Sequence, residues 1–238
     1  MSVSAKILLP EAKIHSLGES AVTISFGDSI SLETNQLIRL LSDAVSDDPF
    51  PGYIESVPCY SSLTIFFDPM LVKTSLSETD SPHGYVSALV LRKNLELDQR
   101  LKSVTVKEIP AEFNHLTGVD LEFVSEYAGV STDEVIAIFT ESVYSVFMIG
   151  FLPGFAYMGT VDSRIAAPRL ETPRINVPAG SIGIAGKQTG IYPFDSPGGW
   201  RIIGRTAVKM FDPSSIGPST LRQGDLVRFV PEEEFGTR

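Results

Sequence analysis

The chain has a single cysteine, Cys59, and three histidines, none of them after His115, among its 238 residues. A lone thiol excludes an internal disulfide framework and every Cys-rich zinc pattern, and it suits a reducing compartment. In SVPCYSS, next to an expected strand, Cys59 reads as a small buried residue rather than a nucleophile. The missing histidines remove the usual base from the second half, so Ser181 reads as a turn hydroxyl and not as half of a Ser–His pair. No stretch approaches the roughly eighteen uninterrupted apolar residues of a membrane span, and MSVSAKILLPEAKIHSLG holds no apolar region ahead of a small-residue cleavage site. The expectation is a cytoplasmic protein with no membrane partner. A G-x-x-x-x-G-K-[ST] phosphate loop is also missing.

Positive charge is scarce and unevenly placed. The net charge is -10. Residues 1–163 carry 9 basic and 22 acidic side chains, whereas residues 164–238 carry 10 basic and 7 acidic ones, so an acidic body ends in a basic segment. No Lys or Arg lies between Lys107 and Arg164. That gap decides the reading of LEFVSEYAGVSTDEVIAIF, which has two short helical patterns, Gly129 at a C-cap position, and Ser131 to Glu134 as a capping box. A recognition helix opening on Asp133 and Glu134 would repel phosphate, so the segment is a structural helical hairpin and nucleic acid is not expected as a partner. The basic end suits a small anion instead.

With 43% hydrophobic and 20% charged residues, the chain can bury one or two ordinary cores, and two modest domains are expected. KIHSLGESAVTISFG alternates about Gly18 as a hairpin, with Val22, Ile24 and Phe26 on one face. SLETNQLIRLLSDAV reads as a helix started by Ser31, with Leu37, Leu40, Leu41 and Ala44 on one stripe. GYIESVP and SSLTIFFD then read as strands, HGYVSALVLRKNLELD as a second helix and KSVTVKEIP as another strand. Helices on one antiparallel sheet make an α+β sandwich. After Phe139 the short strands YSVFMIGF, SIGIAG, WRIIGRT, VKMF and GDLVRFV, separated by turn residues, suggest a closed barrel or a sandwich.

Gly, Pro and aromatic residues crowd into GFLPGFAYMG and PRLETPRINVPAGSIGIAGKQTGIYPFDSPGGW, a composition that builds turns and rigid apolar walls. These stretches, with SPGGWRIIGRT, LGESAVTISFG and VPCYSSLTIFFDP, closely resemble the family of 5-oxoprolinase B subunits over about residues 10–230. That family is also described as allophanate hydrolase subunit 1-like. It includes sporulation-kinase inhibitor proteins and the C-terminal region of urea carboxylase. The resemblance implies an N-terminal α/β domain over residues 10–108 and a cyclophilin-like β-barrel domain over residues 109–238. It also implies cytoplasmic work with the C and A subunits of 5-oxoprolinase, which together open 5-oxo-L-proline to L-glutamate using ATP, with Mg expected. In the inhibitor branch, the partner implied is a sensor histidine kinase.

Opening a lactam requires activation, and phosphorylating its oxygen calls for cations and N–H donors aimed at oxyanions. Arg169, Arg174 and Lys187 are the expected catalytic cations, against the alternative of ordinary surface charge. Phe155, Tyr157, Tyr192 and Trp200 either line a pocket for the flat ring or fill a small barrel, while Gln188 and Thr189 are placed to orient a lactam amide. Phe151 is expected in the core, and residues beside Pro153–Gly154 and Pro197–Gly199 at a pocket or interface. Gly180, Gly183, Gly186 and Gly190 either bare N–H groups to phosphate or serve barrel corners. Family members often carry a histidine near Phe139, a departure that implies a changed substrate, a regulatory relative, or no consequence.

Overall fold

The computed structural model describes residues 12–74, 81–95 and 106–234. Its contacts divide the chain into two units, Met1–Lys102 and Ser103–Arg238.

In the first unit, β1 (Lys13–Ser16), β2 (Ala21–Ser25), β3 (Tyr53–Pro58) and β4 (Ser62–Phe67) form an antiparallel sheet in the order β1-β2-β4-β3. Ile14 lies opposite Ile24, and Ile24 opposite Leu63. Alternation puts Val22, Ile24, Phe26, Leu63, Ile65 and Phe67 on the buried side, as the hairpin pattern predicts. Helix α1 (Leu32–Asp47) is capped by Ser31, whose hydroxyl accepts from the Thr34 N–H at 3.3 Å. Its buried stripe runs through Leu37, Ile38, Leu41 and Val45, one position round from the expected Leu40 and Ala44, which are half-buried. Burying Val45 removes more apolar surface from water than burying Ala44 would, and this favours the observed rotation of the helix. After the short α2 (Pro69–Lys73), α3 (Pro82–Leu95) adds Val86, Leu89 and Val90 to the same core. The expected continuation of α3 to Asp98 lies outside the described residues.

In the second unit, seven strands run in the order β12-β9-β10-β7-β6-β13-β5. They are β5 (Val106–Ala111), β6 (Tyr144–Ile149), β7 (Ala156–Gly159), β9 (Ser181–Ala185), β10 (Gln188–Ile191), β12 (Arg201–Arg205) and β13 (Leu226–Pro231). The expected strand in KSVTVKEIP therefore belongs to this sheet, where β5 pairs parallel to β13; its residues before Val106 lie outside the described set. The two edges nearly meet: Glu112 and Arg205 exchange backbone hydrogen bonds at 2.8 and 2.9 Å, joining the end of β5 to the end of β12. The result is a nearly closed mixed barrel filled by Ile109, Tyr144, Met158, Ile184, Ile203 and Phe229. A ribbon of β8 (Arg174–Val177) and β11 (Ser196–Gly198) forms a separate sheet.

The helical hairpin of α4 (Leu121–Ala128) and α5 (Thr132–Glu141) has the capping expected of it. Gly129 is left-handed at φ 69°, and Ser131 and Glu134 cap each other. Val124, Val135, Ile138 and Phe139 pack into the barrel core. Phe139 sits among Phe113, Tyr144 and Phe229, with centroids 5.0 Å from the last two, and its carbonyl accepts from the Tyr144 hydroxyl at 2.8 Å. It serves the core.

Candidate functional site: an aromatic face bordered by arginines

Along β7, β9 and β10, alternate residues turn inward: Met158, Ile182, Ile184, Thr189 and Ile191 enter the barrel core or are fully buried beside it. The other face carries Gly183 opposite Gly190, and Gly190 opposite Tyr157. Those glycines leave a trough. A Cβ at Gly183 would lie 2.9 Å from Trp200 Cβ, and one at Gly190 would lie 3.1 Å from the Phe155 ring. Rings fill the space: Phe155 packs edge-on against Trp200 at 5.5 Å and Tyr192 at 5.2 Å, and Tyr157 meets Trp200 at 5.7 Å. Val177 of β8 and Ile202 complete this second apolar cluster. Such edge-to-face pairs add roughly 0.5–1.5 kcal/mol each beyond area burial.

Charge gathers at the border of this layer. Asp120, just before α4 and only 5% exposed, accepts from the Ile202 N–H at 2.7 Å and from Arg174 Nη2 at 2.8 Å, with Arg201 Nη1 at 3.5 Å. Its own N–H donates to Ile202 O at 2.8 Å, which fixes the start of α4 to β12. Arg174 also reaches Trp200 O at 3.4 Å. Arg201 lies 3.5 Å over the Phe123 ring, a cation–π contact, and its Nε donates to Pro168 O at 3.2 Å. Arg169 is exposed and has no hydrogen bond or ion pair among the described residues. Burial pushes the Tyr157 and Tyr192 hydroxyls above their ordinary range, and the charge of Arg169 works against burial at both.

Among the expected site residues, the fold thus gathers Arg169, Arg174, Phe155, Tyr157, Tyr192 and Trp200, and it adds Asp120, Arg201 and Phe123, which the sequence reading passed over. Those three had no local signal: Asp120 looks like an ordinary helix cap, and its arginines stand 54 and 81 residues away. Three other positions fall elsewhere. Lys187 is exposed at the β9–β10 turn, and Gln188 is half-buried opposite Gly159. Thr189 is fully buried with its hydroxyl donating to Gly183 O at 2.9 Å, so it completes the barrel rather than facing a ligand amide. The backbone N–H groups of Gly180 and Gly186 are committed to Tyr192 O and Ala167 O at 2.7 and 2.8 Å. They are ladder and corner donors, not a phosphate nest.

The expectations for the loop aromatics are reversed. Phe151, expected in the core, is 65% exposed and held at φ 67°, whereas Phe155 and Trp200, expected at a pocket or interface, are 1% and 3% exposed. The glycine trough explains the exchange, because it gives Phe155 and Trp200 a floor that turn composition alone does not reveal. Burial raises the pKa of the half-buried Cys59 thiol, which disfavours the thiolate form. Ser181 is buried.

Fold and face together define a mixed β-barrel protein with an aromatic outer layer edged by cations. The chain belongs to the family described as carboxyltransferase domain, subdomain C and D, whose model matches residues 12–221, and within it to the group of 5-oxoprolinase B subunits. It is 40% identical over 226 residues to a Bacillus subtilis protein named as the B subunit of 5-oxoprolinase, covering 92% of both chains. The protein of the same name from Escherichia coli O157:H7 is 33% identical over 95% of this chain and 99% of its own. Among solved structures, TTHA0988 superposes with a TM-score of 0.76 at 35% identity over 89% of this chain; the match spans 39% of that longer protein. Urea amidolyase from Kluyveromyces lactis, at 18% identity over 99% of this chain and 16% of its own, shares the fold with a TM-score of 0.74.

Proposed function

We propose that this chain is the B subunit of an ATP-dependent 5-oxoprolinase, working with the A and C subunits of that enzyme to open 5-oxo-L-proline to L-glutamate. The observation that carries the reading is the near full-length identity to proteins of that name. The chemistry is transfer of the ATP γ-phosphoryl group to the lactam oxygen. Water then adds at the activated carbon, the ring C–N bond breaks, and a second water releases phosphate. Negative charge develops on oxygens throughout, and positioned cations lower that barrier.

In this chain, Arg169 and Arg174 are the cations offered to such oxyanions, with the half-buried Tyr157 beside them and the buried Phe155, Tyr192 and Trp200 as the packing that holds this edge in place. Lys187 lies exposed on another part of the barrel, where it can serve phosphates held by a neighbouring protein of the complex. The residues fit ATP only in part: cations are present, a phosphate loop is not. Among the described residues no three His, Cys, Asp or Glu side chains are grouped to hold a metal ion. A Mg2+ ion brought with ATP would neutralise phosphate charge while held by phosphate and water oxygens. The active site is composite, and this chain alone is inert.

The test is reconstitution from the three purified proteins, each alone and in every mixture, followed by phosphate and glutamate release. The expected result is glutamate only from the complete set, and no ATP turnover by this chain by itself. Robust turnover by the isolated chain would sink the composite site. A complete set that binds together yet leaves 5-oxoproline intact would refute the assignment, and autophosphorylation of a sensor histidine kinase titrated with the chain would then test the inhibitor branch.

A further inference from the structure

At the edge of the aromatic layer, two guanidinium groups meet one carboxylate, and Arg169 lies beside them, between Pro168, whose carbonyl accepts from Arg201 at 3.2 Å, and Leu170, whose N–H donates to Gly199 O at 2.8 Å. Asp120 is buried and already satisfied by a backbone N–H and by Arg174, so the second arginine, Arg201, is more than its compensation requires. Glu122 and Glu171, the acidic residues nearest in sequence to Asp120 and Arg169, make no ion pair among the described residues. Surplus positive charge beside desolvating rings is costly unless an anion completes it. The surplus is also pointed outward: Arg174 uses Nη2 on Asp120, its side chain is 31% exposed, and its remaining N–H groups meet no acceptor but Trp200 O among the described residues. Arg201 is held from three sides, by Asp120, Pro168 O and the Phe123 ring, and is only 15% exposed. It buttresses the carboxylate and leaves Arg174 and Arg169 as the groups facing solvent.

We propose that Asp120 is a positioning residue that presets a subsite for a small oxyanion, formed by Arg169 and the outward N–H groups of Arg174 with the half-buried Tyr157 beside them. The inference rests on the reading of this face as a substrate site, and it names the chemical group received there. A fixed guanidinium fork loses little freedom on binding and matches a carboxylate or phosphoryl group by two parallel hydrogen bonds. Asp120 acts through Arg174: it sets the plane of the fork and touches no ligand itself. Both sources of an oxyanion in the proposed reaction, the carboxylate of 5-oxoproline and a phosphoryl group, share this chemistry, and binding separates them.

Trp200 is the sole tryptophan, and its carbonyl accepts from Arg174, so its fluorescence reports on the subsite in the purified chain. L-5-oxoproline, its uncharged carboxamide and inorganic phosphate are titrated in turn. The expected result is a saturable change with at least one of the two anions and none with the carboxamide. Asp120→Asn, which keeps an acceptor for the Ile202 N–H but releases Arg174, should weaken binding about tenfold or more, the loss of one charge-assisted hydrogen bond. Arg174→Gln should do the same with little change in melting temperature, and it keeps the test decisive if Asp120→Asn fails to fold. Lys209→Gln, at a cation paired with Asp212 and not with Asp120, should bind like the parent. In the assembled enzyme Asp120→Asn should raise KM for 5-oxoproline more than it lowers kcat. The proposal is overturned if neither anion gives a saturable response, if the carboxamide binds as well as the acid, or if folded Arg174→Gln binds like the parent. None of these outcomes depends on whether the reconstituted complex opens 5-oxoproline.

Discussion

Replacing Trp200 by Ala separates a core role from a surface role for the aromatic layer. Trp200 is 3% exposed, its ring meets Phe155 at 5.5 Å and Tyr157 at 5.7 Å, and its Cβ rests over Gly183. The Gly183 floor cannot rise to fill the gap, so the cavity persists and the cost belongs to the aromatic-to-alanine range of about 3–5 kcal/mol. Arg174 donates to the Trp200 backbone carbonyl, which the substitution keeps, so the ion pair with Asp120 is not part of this loss. At roughly 2–4 °C per kcal/mol for chains of this length, the melting temperature should fall by about 6–20 °C. Far-UV circular dichroism is the suitable probe, since the variant has no tryptophan left to follow, and a urea transition supplies the free energy at unchanged slope. A side chain held out for docking would instead cost under about 0.5 kcal/mol while lowering the activity of the assembled complex. A melting temperature within about 2 °C of the parent would refute the packing argument and return Trp200 to the surface.

Two further outcomes follow from other particulars. Gly183→Ala places a Cβ 2.9 Å from Trp200 Cβ, a contact between two backbone-anchored atoms. Overpacking of about 1–3 kcal/mol outweighs the roughly 0.4–1 kcal/mol gained by restricting the unfolded chain, so net destabilisation is expected by chemical denaturation, and a stabilised variant would show the trough to be slack. Asp162 receives Nε and Nη2 of Arg164 at 3.0 and 2.8 Å, and these bonds hold its carboxyl at about 2, below its ordinary 3.8. A depressed carboxylate contributes above its unfolded pKa and loses that contribution as pH falls through the folded value. Any melting-temperature gap between the parent and Asp162→Asn should therefore be constant above about pH 4 and close toward about pH 2, and a gap that widens on acidification would contradict the sign.

The elements were largely legible because their signals are local. Ser31, Gly129 and the Ser131–Glu134 box each act within one turn of helix, and the alternation in AVTISFG names its own buried face. The rotation of α1 is not legible in the sequence because Leu40 and Ile38 are nearly equal in hydrophobicity, and only the sheet beneath decides between them. The site was half legible. Composition marked the right segment, since glycine and aromatic side chains alternate there for a reason, but which rings are buried depends on which strand supplies the floor. Phe155 and Trp200 gain theirs from Gly190 and Gly183 on other strands, while Phe151 has none and stays exposed. Asp120 was invisible for the same reason: its partners, Arg174, Arg201 and the Ile202 N–H, arrive through barrel closure and not through spacing.

That closure connects charge to shape. Strand β12 carries Trp200 at its threshold and Arg201, Ile202 and Arg205 within it, and both of its ends are tied back to the segment after β5. Ile202 exchanges two hydrogen bonds with Asp120, and Arg205 exchanges two with Glu112. The edge that completes the barrel thus also carries Arg201 to Asp120, and a shift of β12 by one residue would turn Ile202 and Trp200 to the opposite face and unpair Asp120. Arg174, on β8, is tied to this strand through Asp120, and a cation so held keeps its geometry without a ligand, which lowers the ordering cost when one arrives. The basic excess after residue 163 then has a specific location: Arg174 and Arg201 are spent on one buried carboxylate, and Arg169 beside them is not.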